Sequence, residues 1–374
     1  MSPLTAIIPA AGLSSRMGRF KPLLPLGSGT VLSECIDLFH ASGIERIIVV
    51  TGKRHEEVST AAKQAGALPV YNENFQEGMF SSVLKGLEML GEDSAGFFML
   101  PVDTPLVRSE TVGRLIETFE RTDPLVLYPR FNDERGHPTL ISRRLLPQIL
   151  SHTGVGGLRA VLDMCEEGVQ DLHVADFGTV HDLDHPSDYE LALSLAGAKY
   201  PNDEECQQLW TLYSTPSNII MHCNAVARVA EAMCKRFNSR NGATPLDVAL
   251  VRGAALTHDI GKGTKRHEAA GAERLHTHGF HAAADIALEH FDVTLSPAEP
   301  ITEKEIVFLA DKLVRGESPI PLEGRYRDKL VLHGNESGAK EAILGRLGRA
   351  SDLLIRFDRE ASDSAEQLAY EVLE

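Results

Sequence analysis

Short apolar runs alternate with segments of helical periodicity along the first half of the chain. The apolar runs are TAIIPA, RIIVVTG and GFFMLPVD, and the helical segments are VLSECIDLFHAS, HEEVSTAAKQAG and SETVGRLIETFERT. The stretches PLVLYPRF and HPTLIS follow, and a last helix begins after DLDHPSD. Near-continuous apolar strands separated by helices are typical of a parallel sheet that is buried on both faces. The pattern therefore predicts an α/β domain with a mostly parallel sheet.

The second half of the chain lacks a strand pattern and consists of successive helical segments. From YPNDEECQQLW onward, stretches such as PSNIIMHCNAVARVAEAMCKRF and PLDVALVRGAALTHD have the length and periodicity of helices. The segment ITEKEIVFLADKLV opens with a capping box from Thr302 to Glu305. Its apolar residues fall on one helical stripe, namely Ile306, Leu309, Ala310 and Leu313. We therefore predict a second domain that is all helical.

The boundary between the two patterns lies in the stretch LAGAKYPNDEE. Gly197 is placed to end one helix, and Pro201, Asn202 and Asp203 are typical of the start of the next. A chain of 374 residues is long enough for two cores. We predict domains at 1–197 and 198–374.

Composition narrows the range of partners. The chain has 37 Lys and Arg against 53 Asp and Glu, a formal charge of -16, which argues against non-specific binding to nucleic acid or anionic membranes. We find neither a run of roughly 18 apolar residues nor a basic, apolar leader pattern at the start. The cysteines are odd in number and form no C-x-x-C pair, which predicts buried, reduced thiols: Cys35, Cys165, Cys206, Cys223 and Cys234. We expect a soluble, cytoplasmic protein.

The basic loop after the first strand stands out in so acidic a chain. In IIPAAGLSSRMGRFKPLLP the glycines do not match the G-x-G-x-x-G or the P-loop pattern, although Gly12 and Gly18 enclose a run of small residues. Backbone N–H groups at a strand end, with Arg16 and Lys21, can hold an anion. We interpret the loop as a local anion site; the alternative is a βα turn with a solvated basic edge.

The loop AAGLSSRMGRFK resembles the A-A-G-x-S-x-R-M-G-x-x-K signature of the MobA-like nucleotidyltransferases. The stretches NENFQEGMFSSVLKGL, LPVDTPLV, RGHPTLIS and DLDHPSDYELA agree with the same family in order. The resemblance implies a Rossmann-like domain that joins a nucleoside monophosphate to a phosphorylated acceptor and releases pyrophosphate. The form PAAG is more similar to the molybdenum cofactor cytidylyltransferases than to the guanylyltransferases, whose loop usually reads LAGG. CTP and molybdopterin or molybdenum cofactor are therefore the implied substrates, with a molybdoenzyme or its chaperone as a further partner.

The resemblance also implies site residues. Arg16, Lys21 and Asp103 are the expected catalytic residues, and Asp103 and Asp184 the expected ligands of Mg²⁺. Asp184 matches the family pattern D-x-D-T-P better than Asp182 does, although His185 replaces its threonine. The implied nucleotide-binding residues are Ala10, Ala11, Gly12, Ser14, Ser15, Arg16, Gly18, Lys21, Asn74, Gly78, Ser81 and Ser82. The implied acceptor-side residues are Gly136, His137 and Pro138. Taken alone, Asp103 before Pro105 also fits an Asx turn, and His137 fits a structural histidine.

A second set of chemical residues lies in the helical half. His258 and Asp259 in THDIGK can turn to one metal at a helix end, with His222 and Asp311 completing the ligands from other helices. This set resembles the HD phosphohydrolase superfamily, whose pattern is H…HD…D. It implies a site for Mn²⁺, Fe²⁺, Ni²⁺, Co²⁺ or Zn²⁺ with a water nucleophile, Asp259 and Lys262 as catalytic residues, and His267 as the ligand of a second metal. We interpret His276, His278 and His290 as residues of a solvated helix and loop, and leave His281 open.

Three functions fit these patterns. The first is a bifunctional enzyme, a molybdopterin cytidylyltransferase joined to a metal-dependent phosphohydrolase. The second is a nucleotidyltransferase that acts on a sugar phosphate or another alcohol phosphate, because acceptor residues are not marked by spacing. In the third, the helical half is a regulatory module that binds a nucleotide or a metal without turnover.

Overall fold

The protein forms two compact units, Met1–Gly197 and Ala198–Glu374. The structure, a computed structural model, describes residues 3–12, 17–165, 167–240, 245–294, 296, 298–334, 336 and 338–374. Each unit has its own core and is described separately.

The first unit is an α/β domain. Its strands are β1 (Leu4–Ala10), β2 (Pro25–Leu26), β3 (Gly29–Thr30), β4 (Arg46–Thr51), β5 (Leu68–Tyr71), β6 (Gly96–Met99), β7 (Val126–Phe131), β8 (Glu134–Arg135), β9 (Thr139–Ser142) and β10 (Val169–His173). Its helices are α1 (Val31–Ala41), α2 (His55–Gln64), α3 (Met79–Leu87), α4 (Ser109–Thr122), α5 (Leu146–Ser151), α6 (Gly157–Asp163) and α7 (Pro186–Leu195). All six strand and helix segments with which the sequence pattern opens are confirmed. The edge strands β5 and β10 are additional, because their half-buried sequences carry no continuous apolar run.

The main sheet has the strand order β10-β7-β9-β6-β1-β4-β5, with β8 paired to β7. The pairs β6–β1, β1–β4, β4–β5 and β7–β10 are parallel, whereas β9 is antiparallel to both neighbours. The prediction of a mostly parallel sheet is therefore confirmed.

Side chains of the central strands alternate between two cores, as a period of two requires. On β1, Ala6 and Ile8 belong to one core, whereas Ile7 belongs to the other. The first core includes Leu32 of α1, and the second includes Val83 of α3. Helices therefore cover both faces, as predicted, and the strand ends are left to form the site.

The second unit is helical except for a short two-stranded ribbon. Its elements are α8 (Asp203–Leu212), α9 (Ser217–Asn238), α10 (Val248–Thr257), α11 (His267–Thr277), α12 (His281–Glu289), α13 (Glu303–Lys312), β11 (Val314–Arg315), β12 (Ser318–Pro319), α14 (Leu322–His333), α15 (Ala339–Ala361) and α16 (Ala365–Leu373). Among the described residues, no helix combines the length and apolar character needed to cross a membrane. The sequence pattern did not predict the ribbon, because each of its strands has only two residues.

Helix α13 begins with the capping box that the sequence predicts. The backbone N–H of Thr302 donates to Glu305 Oε2 at 2.9 Å, and the Thr302 side chain accepts from the backbone of Glu305. The predicted apolar stripe is buried, but so are Val307 and Phe308 on the other sides. The helix is thus a central element of the second unit rather than an amphipathic surface helix, and Asp311 near its end is buried as well.

Candidate active sites

The carboxyl-terminal ends of β1 and β6 bring the first set of predicted residues to one edge of the sheet. These strands are parallel neighbours, so the loop after Ala10 and the loop that carries Asp103 leave the sheet side by side. Strand β9 runs the opposite way, and its first residue, Thr139, pairs with Met99, the last residue of β6. The segment Gly136–Pro138 that precedes β9 therefore reaches the same edge.

Lys21 joins the two predicted metal ligands at this edge. Its Nζ lies 3.0 Å from Asp103 Oδ2 and 2.9 Å from Asp184 Oδ1. Although burial acts to lower it, the pKa of Lys21 is raised because Asp103 and Asp184 stabilise the ammonium form. Mg²⁺ in such sites is typically bound by one or two carboxylates together with oxygen atoms of the substrate phosphates. The two carboxylates that converge on Lys21 are therefore a donor set that also fits Mg²⁺.

Asp182 has a different environment from Asp184. Its Oδ1 accepts a hydrogen bond from Thr104 Oγ1 at 2.9 Å. Burial raises the pKa of Asp182, and the charges of Asp103 and Asp184 raise it further against the effect of that hydrogen bond. Among the described residues, Lys21 therefore contacts Asp103 and Asp184, whereas Asp182 contacts Thr104 instead.

A cavity of about 380 Å³ lies beside this group on the side of the basic loop. Its wall includes Ala11, Gly12, Lys21, Gly78 and Ser82 from the predicted nucleotide-binding set. Ala10 is buried in the strand end, and Gly18 has φ +68°, a conformation that favours glycine. The predicted residues Ser14, Ser15 and Arg16 lie outside the described residues.

Asn72, which is not among the predicted residues, bonds to side chains beside this cavity. Its Nδ2 donates to Ser81 Oγ at 2.9 Å and to Ser82 Oγ at 3.0 Å, and its Oδ1 accepts from the backbone N–H of Asn74. Within the described part of the cavity wall, Asn74 and Ser81 thus support the loop, whereas Ser82 and Gly78 face the space. Only its place directly after Tyr71, the last residue of the parallel strand β5, marked Asn72.

Gly52, at the end of β4, allows Ala11 to approach closely. A Cβ on Gly52 would come 2.8 Å from Ala11 Cβ and 2.7 Å from Phe75 Cβ. A side chain at this position would therefore displace Ala11 or Phe75, both of which line the cavity. No motif in the sequence singled out this glycine.

A second cavity, of about 820 Å³, holds the predicted acceptor residues Gly136 and His137. The backbone N–H of His137 donates to Thr179 O at 2.7 Å, Pro138 is buried behind it, and burial lowers the pKa of His137. A Cβ on Gly136 would come 2.4 Å from Thr179 O, so the segment requires glycine there. Asp103 lines both this cavity and the smaller one, so the two spaces meet at the predicted metal ligand.

The second unit brings the four predicted HD ligands together from three places in its fold. His222 lies on α9, His258 and Asp259 follow α10, and Asp311 lies near the end of α13. Ligand atoms of His222, His258 and Asp259 all lie within 4.8 Å of one another. Asp311 Oδ1 lies 3.1 Å from His222 Nε2 and 3.8 Å from His258 Nε2.

The hydrogen bonds of His258 fit a metal ligand. Its Nδ1 lies 2.8 Å from the carbonyl oxygen of Ala255, which can only accept, so Nδ1 carries the proton. Its Nε2 is buried without a hydrogen-bond partner in the described structure and faces Asp259 and Asp311 at 3.8 Å. Burial lowers the pKa of His258 to about 4, so the ring is neutral at pH 7. A lone pair that faces two carboxylates is repelled unless a cation lies between them, so these groups fit a divalent metal.

Charges around the two aspartates keep both ionised. Burial acts to raise the pKa of Asp259, but His258, His290 and Lys262 hold it well below its usual range. Burial acts in the same direction on Asp311, whose pKa is likewise held low by Lys312 and Arg325. Lys262 Nζ lies 3.1 Å from Asp259 Oδ2, beside the proposed metal ligands.

A second group of ligand atoms consists of Asp259, His267 and His290. Asp259 Oδ1 lies 3.6 Å from His267 Nε2 and 3.4 Å from His290 Nε2. His290 Nδ1 lies 2.6 Å from Ala287 O and must donate to it, which leaves Nε2 for the site. The interpretation of His290 as a solvated residue was wrong, because the end of α12 turns its side chain into the unit, where it is 4% exposed.

The other three histidines of that stretch do not join the two ligand groups in the described structure. His278 is buried rather than solvated, and its Nε2 lies 3.2 Å from the hydroxyl of Tyr213. His276 and His281 lie 2.8 Å apart between their Nδ1 atoms at an exposed position. The structure thus assigns His281, which was left open, to the surface pair.

Comparison with known proteins agrees with both halves. Residues 6–171 match the family described as the MobA-like NTP transferase domain, and residues 219–316 match the HD domain. The chain is 30% identical over 190 residues to the molybdenum cofactor cytidylyltransferase of Escherichia coli (strain K12), a match that covers 50% of this chain and 95% of that protein.

Two further relatives match smaller shares of the chain. The molybdenum cofactor guanylyltransferase of Xanthomonas euvesicatoria pv. vesicatoria (strain 85-10) is 31% identical over 114 residues, which cover 30% of this chain and 54% of that protein. The crystal structure of Rv0371c from Mycobacterium tuberculosis H37Rv is 26% identical with a TM-score of 0.46, and covers 52% of this chain and all of that one (100%). The two family matches and the E. coli relative confirm the predicted family: the chain belongs to the MobA-like nucleotidyltransferases through its first unit and carries an HD domain in its second.

Proposed function

We propose that the first unit transfers CMP from CTP to molybdopterin or molybdenum cofactor and releases pyrophosphate. The observation that carries this proposal is the position of Asp103 in the walls of two cavities, one beside the basic loop and one beside His137. A transferase must hold two anionic reactants in line at one point. The similarity to the E. coli cytidylyltransferase over nearly its full length supports the choice of reaction.

Each group at this edge has a place in the reaction. Mg²⁺ held by Asp103 and Asp184 would offset the charge that the triphosphate and the acceptor phosphate bring together. Lys21 lines the nucleotide cavity with its Nζ within 3.0 Å of both carboxylates, so its ammonium would lie close to a phosphate oxygen bound there. Backbone N–H groups of the loop at Gly12 would add donors. The acceptor phosphate would enter from the larger cavity beside Gly136.

The choice of CTP rests on the start of the loop. Ala11 lines the nucleotide cavity and its Cβ lies close to Gly52, so we infer that this Cβ takes space from the base. A pyrimidine needs less room than a purine.

We place the reaction in the cytoplasm, where the thiols, all free in the structure, stay reduced. We propose a molybdoenzyme or its chaperone as the recipient of the product.

Asp103→Asn in the full-length protein tests the role of the shared carboxylate. The variant keeps the side-chain volume and removes the charge, so we expect CMP transfer to fall by at least about 100-fold. Asp37→Asn, at an exposed position on α1 away from both cavities, is the matched control and should stay within about two-fold. Near-wild-type transfer by the Asp103 variant would show that catalysis depends on other residues.

We propose that the second unit is a metal-dependent phosphohydrolase. The carrying observation is His258 Nε2, a buried lone pair without a partner that faces Asp259 and Asp311. A metal bound there, such as Mn²⁺, Fe²⁺, Ni²⁺, Co²⁺ or Zn²⁺, would supply an activated water. Lys262 would offset charge on the phosphoryl oxygens, and His267 with His290 would complete a second metal position.

Metal analysis and phosphatase assays of Asp259→Ala test this proposal. Asp259 contributes to both ligand groups, so the variant should lose bound metal and all phosphate release from nucleotides and simple phosphomonoesters. Asp285→Ala, at an exposed position on α12, is the matched control and should retain both. A wild type that binds metal but hydrolyses none of these compounds would favour a regulatory role for the unit.

A further inference from the structure

The cavity at the HD ligands carries more positive charge than one phosphate group requires. It measures about 420 Å³ and opens onto His222, His267 and His290. Its cationic lining residues are Lys262, Lys312, Arg315, Arg325 and Lys329. The carboxylates in the lining are Asp259, Asp311 and Asp328. Two of these three are proposed metal ligands, so a bound metal would make the excess of positive charge larger still.

The cations occupy two levels of the cavity. Lys262 and Lys312 contact the ligand carboxylates directly, with Nζ 3.1 Å from Asp259 Oδ2 and 2.6 Å from Asp311 Oδ2. Arg325 on α14 also reaches Asp311, at 3.2 Å. Lys329 lies four residues further along α14, on the same face and about 6 Å along the helix axis. It therefore forms a second level, one helical turn away from the metal ligands.

Lys329 has an environment that favours an anion. Across the described residues, its Nζ has no carboxylate within 4.0 Å, and its nearest aromatic contact is the ring of Tyr326, whose centroid is 5.4 Å away. Burial lowers the pKa of Lys329 to about 8, and the neighbouring charges of Lys312 and Arg325 contribute. Arg325 also has a buried Nε without a partner among the described residues. A half-buried ammonium without a counter-charge is costly unless a ligand supplies that charge.

We propose that this cavity binds a substrate with two neighbouring phosphoryl groups, one at the HD ligands and the other at Lys329 and Arg325. The proposal rests on the proposed phosphohydrolase function and names its substrate class, a diphosphate. The one-turn spacing along α14 suits two phosphoryl groups joined through one bridging oxygen, with Lys262 and Lys312 at the first and Lys329 at the second.

The hydrolysis of such a substrate balances with water alone. The oxygen of one water molecule forms a new bond to the terminal phosphorus, and the bond from that phosphorus to the bridging oxygen breaks. The bridging oxygen leaves on the second phosphoryl group, which Lys329 and Arg325 hold. The two protons of the water end on the products or in the solvent.

Two sources could supply this diphosphate. One is inorganic pyrophosphate, the product that the proposed transferase releases, whose hydrolysis would make CMP transfer irreversible. The other is a nucleoside diphosphate, whose organic part would lie against the apolar lining formed by Ile219, Phe291 and Leu332. Both sources present the same pair of phosphoryl groups to the cations.

Binding of methylenediphosphonate and methylphosphonate to the full-length, Mn²⁺-loaded protein tests the subsite without hydrolysis. We expect calorimetry to show tighter binding of the diphosphonate by at least about ten-fold. Lys329→Met should reduce this ratio to below about two-fold. The matched control is Lys340→Met, an exposed helical lysine that should keep the ratio, and Lys329→Arg should also keep it. Equal binding of the two phosphonates by the wild type, or an unchanged ratio in Lys329→Met, would overturn the subsite.

Assays of phosphate release distinguish a failure of the proposed diphosphate subsite from a failure of the proposed phosphohydrolase function. We expect Lys329→Met to raise the KM for a diphosphate by about ten-fold and to change kcat/KM for a phosphomonoester by less than about two-fold. Turnover of pyrophosphate alone would identify the inorganic source, and turnover of CDP or ADP the nucleotide source. A Lys329-dependent binding ratio without any hydrolysis would refute the phosphohydrolase and keep the subsite. Hydrolysis of phosphomonoesters without a Lys329-dependent binding ratio would support the phosphohydrolase and refute the subsite. If Lys329→Met does not fold, Lys329→Gln takes its place in both assays.

Discussion

Gly261 lies against His267 so closely that a Cβ on Gly261 would come 2.0 Å from the carbonyl oxygen of His267. The same Cβ would lie 2.5 Å from the backbone nitrogen of Gly271. The turn after Asp259 is thus in backbone contact with the first turn of α11. This contact holds His267 Nε2 3.6 Å from Asp259 Oδ1, so the glycine of the HDIGK motif positions the second ligand group.

Gly261→Ala should therefore separate the two ligand groups. Because neither backbone can move aside without breaking the first turn of α11, we expect metal affinity to fall by at least about ten-fold. Metal content after dialysis and a calorimetric titration with Mn²⁺ measure this effect. Gly348→Ala, a helical glycine with open space around its Cα, is the matched control and should bind metal as the wild type does.

A Gly261→Ala protein with wild-type metal content and two ions per chain would contradict this arrangement. A general loss of folding would lower the melting temperature of the variant even in the presence of chelator, where no metal is bound. Loss of metal with an unchanged melting temperature in chelator is the expected combination.

Asp182 and Asp184 should differ in their effect on CMP transfer. Asp184 bonds to Lys21, whereas Asp182 bonds to Thr104 Oγ1. We expect Asp184→Asn to raise the Mg²⁺ concentration needed for half-maximal transfer by about ten-fold or more and Asp182→Asn to leave it within about two-fold. Initial rates of pyrophosphate release at varied Mg²⁺ measure both. The reverse order would make Asp182 the metal ligand.

The preference for CTP over GTP should depend on residues 9–12, at the start of the basic loop. The double change Pro9→Leu and Ala11→Gly converts PAAG to LAGG and removes the Ala11 Cβ from the wall of the nucleotide cavity. We expect the ratio of kcat/KM for GTP over CTP to rise by about ten-fold or more, because the backbone can then make room for a purine. An unchanged ratio in a folded variant would place the selectivity in other loops.

The pH dependence of anion binding should report on Lys329. Its pKa of about 8 lies below the ordinary lysine value, so its charge is fully present below that pH and is lost as the pH rises through it. The charges that face it are those of Lys312, Arg325, Arg346 and Asp311. The preference for diphosphonate over methylphosphonate should fall by about ten-fold from pH 7 to pH 9 in the wild type. In Lys329→Arg the guanidinium stays charged, so the fall should be less than about two-fold. Equal falls in both proteins would assign the effect to another group.

Local signals in the sequence were sufficient for much of the fold and for part of each site. The apolar runs marked β1, β4 and β6, whose carboxyl ends carry the loop glycines and Asp103, and a capping box marked the start of the helix that bears Asp311. The HD pair was visible because its two residues are adjacent. In each of these cases the relevant residues lie within a few positions of one another.

What the sequence did not reveal depends on contacts between distant segments. His290 looks like a surface residue in a histidine-rich stretch, and only the end of α12 shows that it points at Asp259. Asn72 matters because it bonds to Ser81 and Ser82 after the chain has turned back. The role of Gly52 requires knowing that Phe75 and Ala11 both lie where a Cβ on Gly52 would be. Pairings of this kind follow from the packing of the helices and the sheet, which a local pattern does not specify.

Chromatographic identification of the products that the full-length protein forms from CTP, Mg²⁺ and molybdenum cofactor tests the proposed CMP transfer itself. We predict a cytidylylated pterin and, with the HD unit inactivated by Asp259→Ala, one equivalent of pyrophosphate. GTP in place of CTP should give much less product, and Asp103→Asn should give none. A protein that binds Mg²⁺ and CTP but leaves the pterin unmodified, and instead transfers CMP to a sugar phosphate or another alcohol phosphate, would contradict the claim.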